Sequence, residues 1–443
     1  MTDCILKNRE HIFFEKSTVY IPGDKSMSHR AVMLSSLSEG SYKFSNFLFS
    51  ADCLCTVGVF QELGIKIETN PDTYEVKVQG TGLKGLTAPK KVLDVGNAGT
   101  LIRIVTGILA AQAFTSEISG DESIQKRPMK RITDPLSHMG ARITGEIEGN
   151  NIKPPLKISG NPNLQPITYE MPVASAQVKS SVLLAGLFVD GETTVIEPKP
   201  CRDHTERMLK MFGADIAVNK NVIKITGNKP ISCESREIII PGDVSSAAFF
   251  IVLALITKNT EFVLEKIGMN PTRNRIITLL QEMGSDITIF NEQKDLAEPY
   301  ADLRIKSSNL KNLRVQEIDI PNIIDEIPIL AIAAAFGEGI FKVTGAKELR
   351  VKESDRIQGI VHMIKAIGGN ITEYEDGFEI VGGLNPRAYT VDSHGDHRIA
   401  MSAIIVGIAL GQEAKIINCD CIKTSFPNFF ENIKKLKVDF ELR

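Results

Sequence analysis

The sequence predicts an α/β protein of six β-α-β-α-β repeats, three in each of two lobes, and three observations lead there. Six times a strand-like run passes through a turn of small or polar residues into an apolar helix, at 23–37, 96–111, 174–187, 242–255, 322–336 and 395–409. The starts lie roughly 70–80 residues apart, longer than most common solenoid repeats. Each copy then carries a second helix that ends in a small or glycine-containing turn and re-enters a strand, a helix-stop signal followed by period-two alternation. Finally, Ile21-Pro22-Gly23-Asp24-x-Ser26 returns as Ile240-Pro241-Gly242-Asp243-x-Ser245. Both occurrences follow a strand and precede a helix, and they mark two crossings between lobes. One domain is then 23–241, the other joins 1–22 to 242–443, and the hinges lie near 22–23 and 241–242.

In the first repeat a short β-like run at 17–21 meets the Pro22-Gly23 turn and leads into an apolar helical run at 31–37. Ser26 or Ser28 is suited to cap that helix, and Lys25 and Arg30 add fixed charge to the positive end of its dipole. The second repeat enters its helix through Gly96-Asn97-Ala98-Gly99-Thr100, the third through Ser175-Ala176-Gln177, the fourth through Gly242-Asp243. The fifth does so through Asp325-Glu326-Ile327-Pro328, where proline suits a first helical turn, and the sixth through Gly395-Asp396-His397-Arg398. The second helices end at Leu63-Gly64-Ile65, Met139-Gly140-Ala141, Phe212-Gly213-Ala214, Met283-Gly284-Ser285, Ile367-Gly368-Gly369 and, more weakly, Leu436-Lys437-Val438.

Composition narrows the function classes. With 43% hydrophobic and 24% charged residues in 443, the chain reads as an ordinary globular protein with room for two or three cores. A net charge of −3 and a pI near 6.2 argue against a general nucleic-acid binder. No run of about eighteen apolar residues occurs and residues 1–11 are polar, so neither a membrane span nor a targeting peptide is expected and the location is read as cytoplasmic. Seven cysteines form no disulfide framework and no convincing metal-ligand pattern; they read as reduced and structural.

If three helices in each lobe aim their N-termini at one gap, their dipoles add to the Lys and Arg residues near those ends, and the gap is an anion trap. Five motifs then carry a resemblance. Gly23-Asp24-Lys25-Ser26-x-Ser28-x-Arg30, Gly96-Asn97-Ala98-Gly99-Thr100-x-x-Arg103, Gly120-Asp121-x-Ser123-x-x-x-Arg127-Pro128-Met129, Arg350-Val351-Lys352-Glu353-Ser354-Asp355-Arg356 and Asp396-His397-Arg398-x-Ala400-Met401 together resemble the 5-enolpyruvylshikimate-3-phosphate synthase family. The resemblance runs over essentially the whole chain in the family's order. It implies a two-lobed inside-out α/β barrel of the enolpyruvyl transferase type, and transfer of the enolpyruvyl group of phosphoenolpyruvate to the 5-hydroxyl of shikimate 3-phosphate with release of phosphate. It further implies a monomer without metal or organic cofactor, with no nucleic-acid or membrane partner. By motif match, phosphoenolpyruvate falls to Lys25, Gly99, Arg127, Gln177, Arg356 and Arg398, where guanidinium forks suit its carboxylate and phosphate. Shikimate 3-phosphate falls to Lys25, Ser26, Arg30, Ser175, Ala176, Gln177, Arg202, Asp325 and Lys352.

The reaction needs a base for the hydroxyl and an acid for C3. The resemblance implies Asp325 as base and Glu353 as the candidate that protonates C3, with Lys25 able to share either task. Taken alone, Asp325 is an acid near a helix start and Glu353 one member of a charged run.

Departures from the family pattern are local. Ser175-Ala176-Gln177 has alanine where many members have a second serine, a substitution shared by the family's second class, which also has Arg-Asp-His-Thr-Glu as at Arg202–Glu206. Thr424 stands where many members have lysine, with Lys423 one residue early. Gly99, by resemblance, leaves room for the family's inhibitor glyphosate. Two rivals are distinguishable. The sister enzyme that acts on UDP-N-acetylglucosamine has Lys-Asn at Lys25-Ser26 and usually a cysteine in the loop matching 116–127, which here has none. A non-catalytic repeat scaffold has no need of Lys and Arg near helix starts in both lobes. A phosphate-binding ATPase is excluded by the missing Gly-x4-Gly-Lys-Ser/Thr loop.

Overall fold

The leading helices of the fourth and fifth repeats are apolar on every face, so they must be buried on every side. The structure, a computed structural model, describes residues 2–8, 14 and 16–443; part of the 1–11 segment read above for targeting signals lies outside the described residues. The leading helices are α1 (Lys25–Ser36), α2 (Gly99–Ala110), α3 (Ala176–Gly186), α4 (Val244–Ile256), α5 (Ile327–Phe336) and α6 (His397–Leu410). Every residue from Val244 to Leu255 in α4 and from Ile327 to Ala335 in α5 is buried. The strands alternate buried and exposed positions, as in Glu75–Thr81, and suit an outer layer. Helices therefore fill the inside and sheets cover it, the inverse of an ordinary barrel.

Among the described residues six sheets are formed, one per repeat. After each second helix of the first five repeats the strand turns back as a hairpin, for example Lys66–Asn70 against Glu75–Thr81 and Arg142–Glu148 against Asn151–Ser159. The hairpin adds a return strand to the repeat read from the sequence. In the sixth copy that strand comes from the other end of the chain: Cys4–Leu6 lies antiparallel between Ala414–Ile417 and Phe440–Leu442. Two leading strands are exchanged. Ser17–Val19, which precedes α1, runs parallel to Glu261–Gly268, and Glu237–Ile239, which precedes α4, runs parallel to Glu39–Ser45. In the fifth copy the leading strand shrinks to two isolated parallel bridges, Lys311↔Glu338 and Arg314↔Lys342.

By its contacts the chain divides into two compact units, Met1–Pro22 with Pro241–Arg443, and Gly23–Ile240. Each has its own hydrophobic core.

One expectation is corrected. Neither Ser26 nor Ser28 caps α1; Asp24 does, its Oδ1 accepting the Met27 amide at 2.9 Å. The helix begins two residues earlier than a cap at Ser26 allows, so both serines lie within its first turns, and the Ser28 hydroxyl accepts the Leu48 amide instead at 3.1 Å. Asp243 and Asp396 cap α4 and α6 in the same way. By contrast α2 and α5 have no side-chain cap.

Candidate active site

In the unit Gly23–Ile240 the predicted residues gather at the starts of α1, α2 and α3. Lys25, the first residue of α1, forms an ion pair with Asp52, which sits in the first turn of the helix Ala51–Glu62. Arg30, one turn on, is only 4% exposed. Its guanidinium donates to the Ser26 carbonyl at 3.0 Å, to Thr205 Oγ1 at 2.6 Å and to Ser180 Oγ at 2.9 Å. It thereby ties the start of α1 to α3 and to the helix His204–Met211.

At α2, which has no side-chain cap, the Gly99 amide turns back onto the Asn97 carbonyl at 2.9 Å. Arg127 is held there by Asn97 Oδ1 at 2.8 Å and Ser123 Oγ at 3.3 Å. A methyl group on Gly99 would stand 2.3 Å from Arg127 Nη1 and 3.3 Å from Arg103 Nη1. Gln177 uses both ends of its amide on this helix: Oε1 accepts from Arg103 Nη1 at 2.9 Å, and Nε2 donates to Thr100 Oγ1 at 3.2 Å. Ser175 caps α3 through the Val178 amide, which places Ala176 at the first helical position. Arg202 lies in the loop that precedes His204–Met211, half-buried. Beneath that loop Lys179 is wholly buried between Glu197 at 2.8 Å and Glu206 at 2.6 Å, with the Cys201 thiol donating to Glu197 at 3.0 Å.

In the other unit the acids and two arginines form one cluster. Arg356, 1% exposed, opens the helix Arg356–Ala366 and spends its three nitrogens on three carboxylates. Nε donates to Asp396 at 2.8 Å, Nη1 to Asp325 at 3.1 Å and Nη2 to Glu353 at 2.5 Å. A guanidinium removed from water needs such counter-charges. Arg398 donates to the Asp325 carbonyl at 2.8 Å and lies 3.9 Å from its carboxylate and 3.8 Å from that of Glu326. Lys352 reaches Glu348 at 3.2 Å. Partial removal from water pushes the Glu353 carboxyl up, but the paired Arg356 outweighs it and holds it well below the usual range. His397 itself is lowered to about 4, first by burial and then by Arg398, so it stands neutral at pH 7.

Thus Lys25, Ser26, Arg30, Gly99, Arg127, Ser175, Ala176, Gln177 and Arg202 belong to one unit, and Asp325, Lys352, Glu353, Arg356 and Arg398 to the other. Sequence reasoning missed the partners: Asp52, Asn97 and Asp396. Asp52 has no local signal, being in another helix; Asp396 was signalled only as part of a motif, although it is wholly buried and serves both as the α6 cap and as an Arg356 acceptor. Among the described residues no group of three or more His, Cys, Asp or Glu is arranged to hold a metal ion, and no helix is long and apolar enough to cross a membrane.

The chain is similar to known proteins over nearly its whole length. Residues 15–433 match the model of the EPSP synthase (3-phosphoshikimate 1-carboxyvinyltransferase) family. The chain is 47% identical over 420 residues to the 3-phosphoshikimate 1-carboxyvinyltransferase of Petrotoga mobilis, covering 95% of this chain and 96% of that one. It is 46% identical over 422 residues to that of Bacillus licheniformis, covering 95% and 97%. A solved structure of EPSP synthase from Acinetobacter baumannii superposes with a TM-score of 0.90 at 42% identity, over 100% of both chains. The enolpyruvyl transferase NikO from Streptomyces tendae, at 14% identity and TM-score 0.78 over 100% of this chain and 99% of that one, shares the fold.

Proposed function

This chain belongs to the EPSP synthase family, and from that premise we propose how its residues divide the work of the reaction. It is a 3-phosphoshikimate 1-carboxyvinyltransferase, transferring the enolpyruvyl group of phosphoenolpyruvate to shikimate 3-phosphate in aromatic amino-acid biosynthesis. The assignment of residues rests on one observation above all: Arg356 is buried among Asp325, Glu353 and Asp396, so a carboxylate binder and two candidate proton-transfer groups share a single cluster.

Phosphoenolpyruvate is held by Arg127, Arg356 and Arg398, with Lys25, Gln177 and the backbone at Gly99. Shikimate 3-phosphate is held by Lys25, Ser26, Ser175, Ala176, Gln177, Arg202, Asp325 and Lys352, while Arg30 acts from beneath by fixing Ser26 and the start of α1. These residues are drawn from both units. Seven free cysteines and two small anionic substrates suit a cytoplasmic monomer.

Asp325 takes the proton from the 5-hydroxyl as its oxygen bonds to C2 of phosphoenolpyruvate. At the same time C3 gains a proton, giving a tetrahedral adduct. The bond from C2 to the phosphate oxygen then breaks, phosphate leaves, and C3 returns its proton to restore the double bond. Glu353 delivers and recovers the C3 proton, but its pairing with Arg356 at rest keeps it ionised. The substrate carboxylate resolves this by taking Arg356 for itself. Stripped of that counter-charge and set beside new anions, Glu353 rises toward neutral pH and becomes an acid. Lys25 stands by for either proton.

The experiment separates chemistry from binding. Asp325→Asn should lower kcat by about 10²–10⁴ while shikimate 3-phosphate binding changes far less. Glu353→Gln should suppress incorporation of solvent deuterium at C3. An Asp325→Asn variant that loses affinity and keeps its turnover at saturation would make Asp325 a binding residue only.

A further inference from the structure

Lys352 and Glu353 ride on one short exposed loop, 351–354, and the residue that closes this loop has no place in the scheme above. Val351 is 79% exposed, so no apolar side chain anchors the loop at that end. Arg350 does the holding. Its Nη1 donates to Asp355 Oδ2 at 2.9 Å, its Nη2 to Glu373 Oε1 at 2.9 Å and the Tyr374 carbonyl at 2.7 Å, and its Nε to the Glu375 carbonyl at 2.8 Å. The other oxygen of Asp355 accepts the Gln358 amide at 3.0 Å and caps the helix that begins with Arg356. The two ends of the loop therefore meet at one guanidinium, which is fastened in turn to the hairpin of Gly369–Tyr374 and Gly377–Leu384.

We propose that Arg350 is a positioning residue of the transferase reaction: by closing the loop 351–354 it sets Lys352 for shikimate 3-phosphate and Glu353 for C3 of phosphoenolpyruvate. The inference rests on the roles given to Lys352 and Glu353 above. At rest the loop has two further tethers, Glu353 on Arg356 and the Ser354 hydroxyl donating to Asp396 at 3.2 Å. Once the substrate carboxylate claims Arg356 the first is lost, and the Arg350 contacts then share with the single Ser354 hydrogen bond the task of holding the loop at the moment Glu353 must face C3. Only arginine offers donors in three directions within one plane; lysine is a single point charge.

The test compares Arg350→Ala and Arg350→Lys with Lys352→Ala in the full-length enzyme, reading KM for each substrate, C3 deuterium incorporation and thermal midpoint. Loss of charge-assisted contacts should raise the shikimate 3-phosphate KM by about tenfold and slow deuterium incorporation by a similar factor, with the phosphoenolpyruvate KM within about twofold because Arg356 keeps Asp325 and Asp396, and Arg398 and Arg127 keep partners off the loop. Arg350→Lys should show the same split to a smaller degree, and decides the matter if the alanine variant does not fold. Equal rises in both KM values alongside a lowered midpoint overturn the proposal, since that is what a merely structural role produces. An unaffected Arg350→Ala beside an impaired Lys352→Ala overturns it and leaves the site assignment standing. If Lys352→Ala is itself unimpaired, both fall.

Discussion

Arg356 shows at the scale of one residue why the site is not a bare positive trap. Every nitrogen of its guanidinium already faces a carboxylate, and Lys25 has Asp52. On the roles proposed for Arg356 and Lys25, substrate anions bind by exchange, and affinity is a difference between two sets of ion pairs rather than a sum of new ones. Gly99 is governed by the same neighbours. Its methyl derivative collides with the Arg127 guanidinium, whose place over α2 is fixed by Asn97 and Ser123. Gly99→Ala should therefore weaken phosphoenolpyruvate somewhat and glyphosate, the longer molecule, more, a steric cost of about 1–3 kcal/mol. Inhibition and saturation curves for both proteins check this; equal weakening of the two ligands counts against the pocket described.

Histidine titration gives a second prediction. Neutral buried His397 and His29 are lowered to about 4 and about 3, chiefly by burial. Between those values and the unfolded value near 6.5 the unfolded chain binds more protons, so stability is full above about pH 6.5 and falls on acidification by up to about 1.4 kcal/mol per pH unit for each histidine. Urea midpoints from pH 7 to 4 should fall less steeply in His397→Gln than in the parent; identical slopes would contradict the neutral buried assignment. The motifs made legible in the sequence most of the residues proposed above to hold the substrates. Their partners were not, because Asp52 is brought to Lys25 only by helix packing and no spacing announces it.

At the scale of elements, apolar periodicity located all six leading helices, since a helix buried on every side is a long uninterrupted signal. Cap identity was misread at α1, where aspartate and two serines stand within five positions and only the helix register chooses among them. The glycines after the second helices adopt positive φ, +90° at Gly64, +95° at Gly140, +71° at Gly213, +88° at Gly284 and +86° at Gly368. The sixth copy has Lys437 at φ 60° instead. A side chain there carries a left-handed cost of about 1–2 kcal/mol, offset in part by the greater freedom glycine gives the unfolded chain. Lys437→Gly should thus stabilise the protein by about 0.5–1 kcal/mol, seen as a higher unfolding midpoint; a lower midpoint would show that the lysine side chain outweighs its backbone. The exchanged leading strands could not be read in advance. Each is three residues long, and parallel pairing such as Phe262↔Ser17 leaves no turn to announce it.

For the whole molecule, the repeat length and the duplicated Pro-Gly-Asp segment carried the architecture, and the fifth repeat shows where repetition gives way to chemistry. There the leading strand is reduced to two bridges, α5 starts without a side-chain cap, and Asp325 and Glu326 occupy the turn instead. The claim that unites these scales is that the chain uses phosphoenolpyruvate as donor and shikimate 3-phosphate, not a UDP-sugar, as acceptor, the choice being marked by Lys25-Ser26 and the cysteine-free segment 116–127. Phosphate release from phosphoenolpyruvate by the purified protein, measured with each acceptor in turn, tests it most directly. Release should require shikimate 3-phosphate and be absent with UDP-N-acetylglucosamine; equal release with the nucleotide sugar would contradict the account.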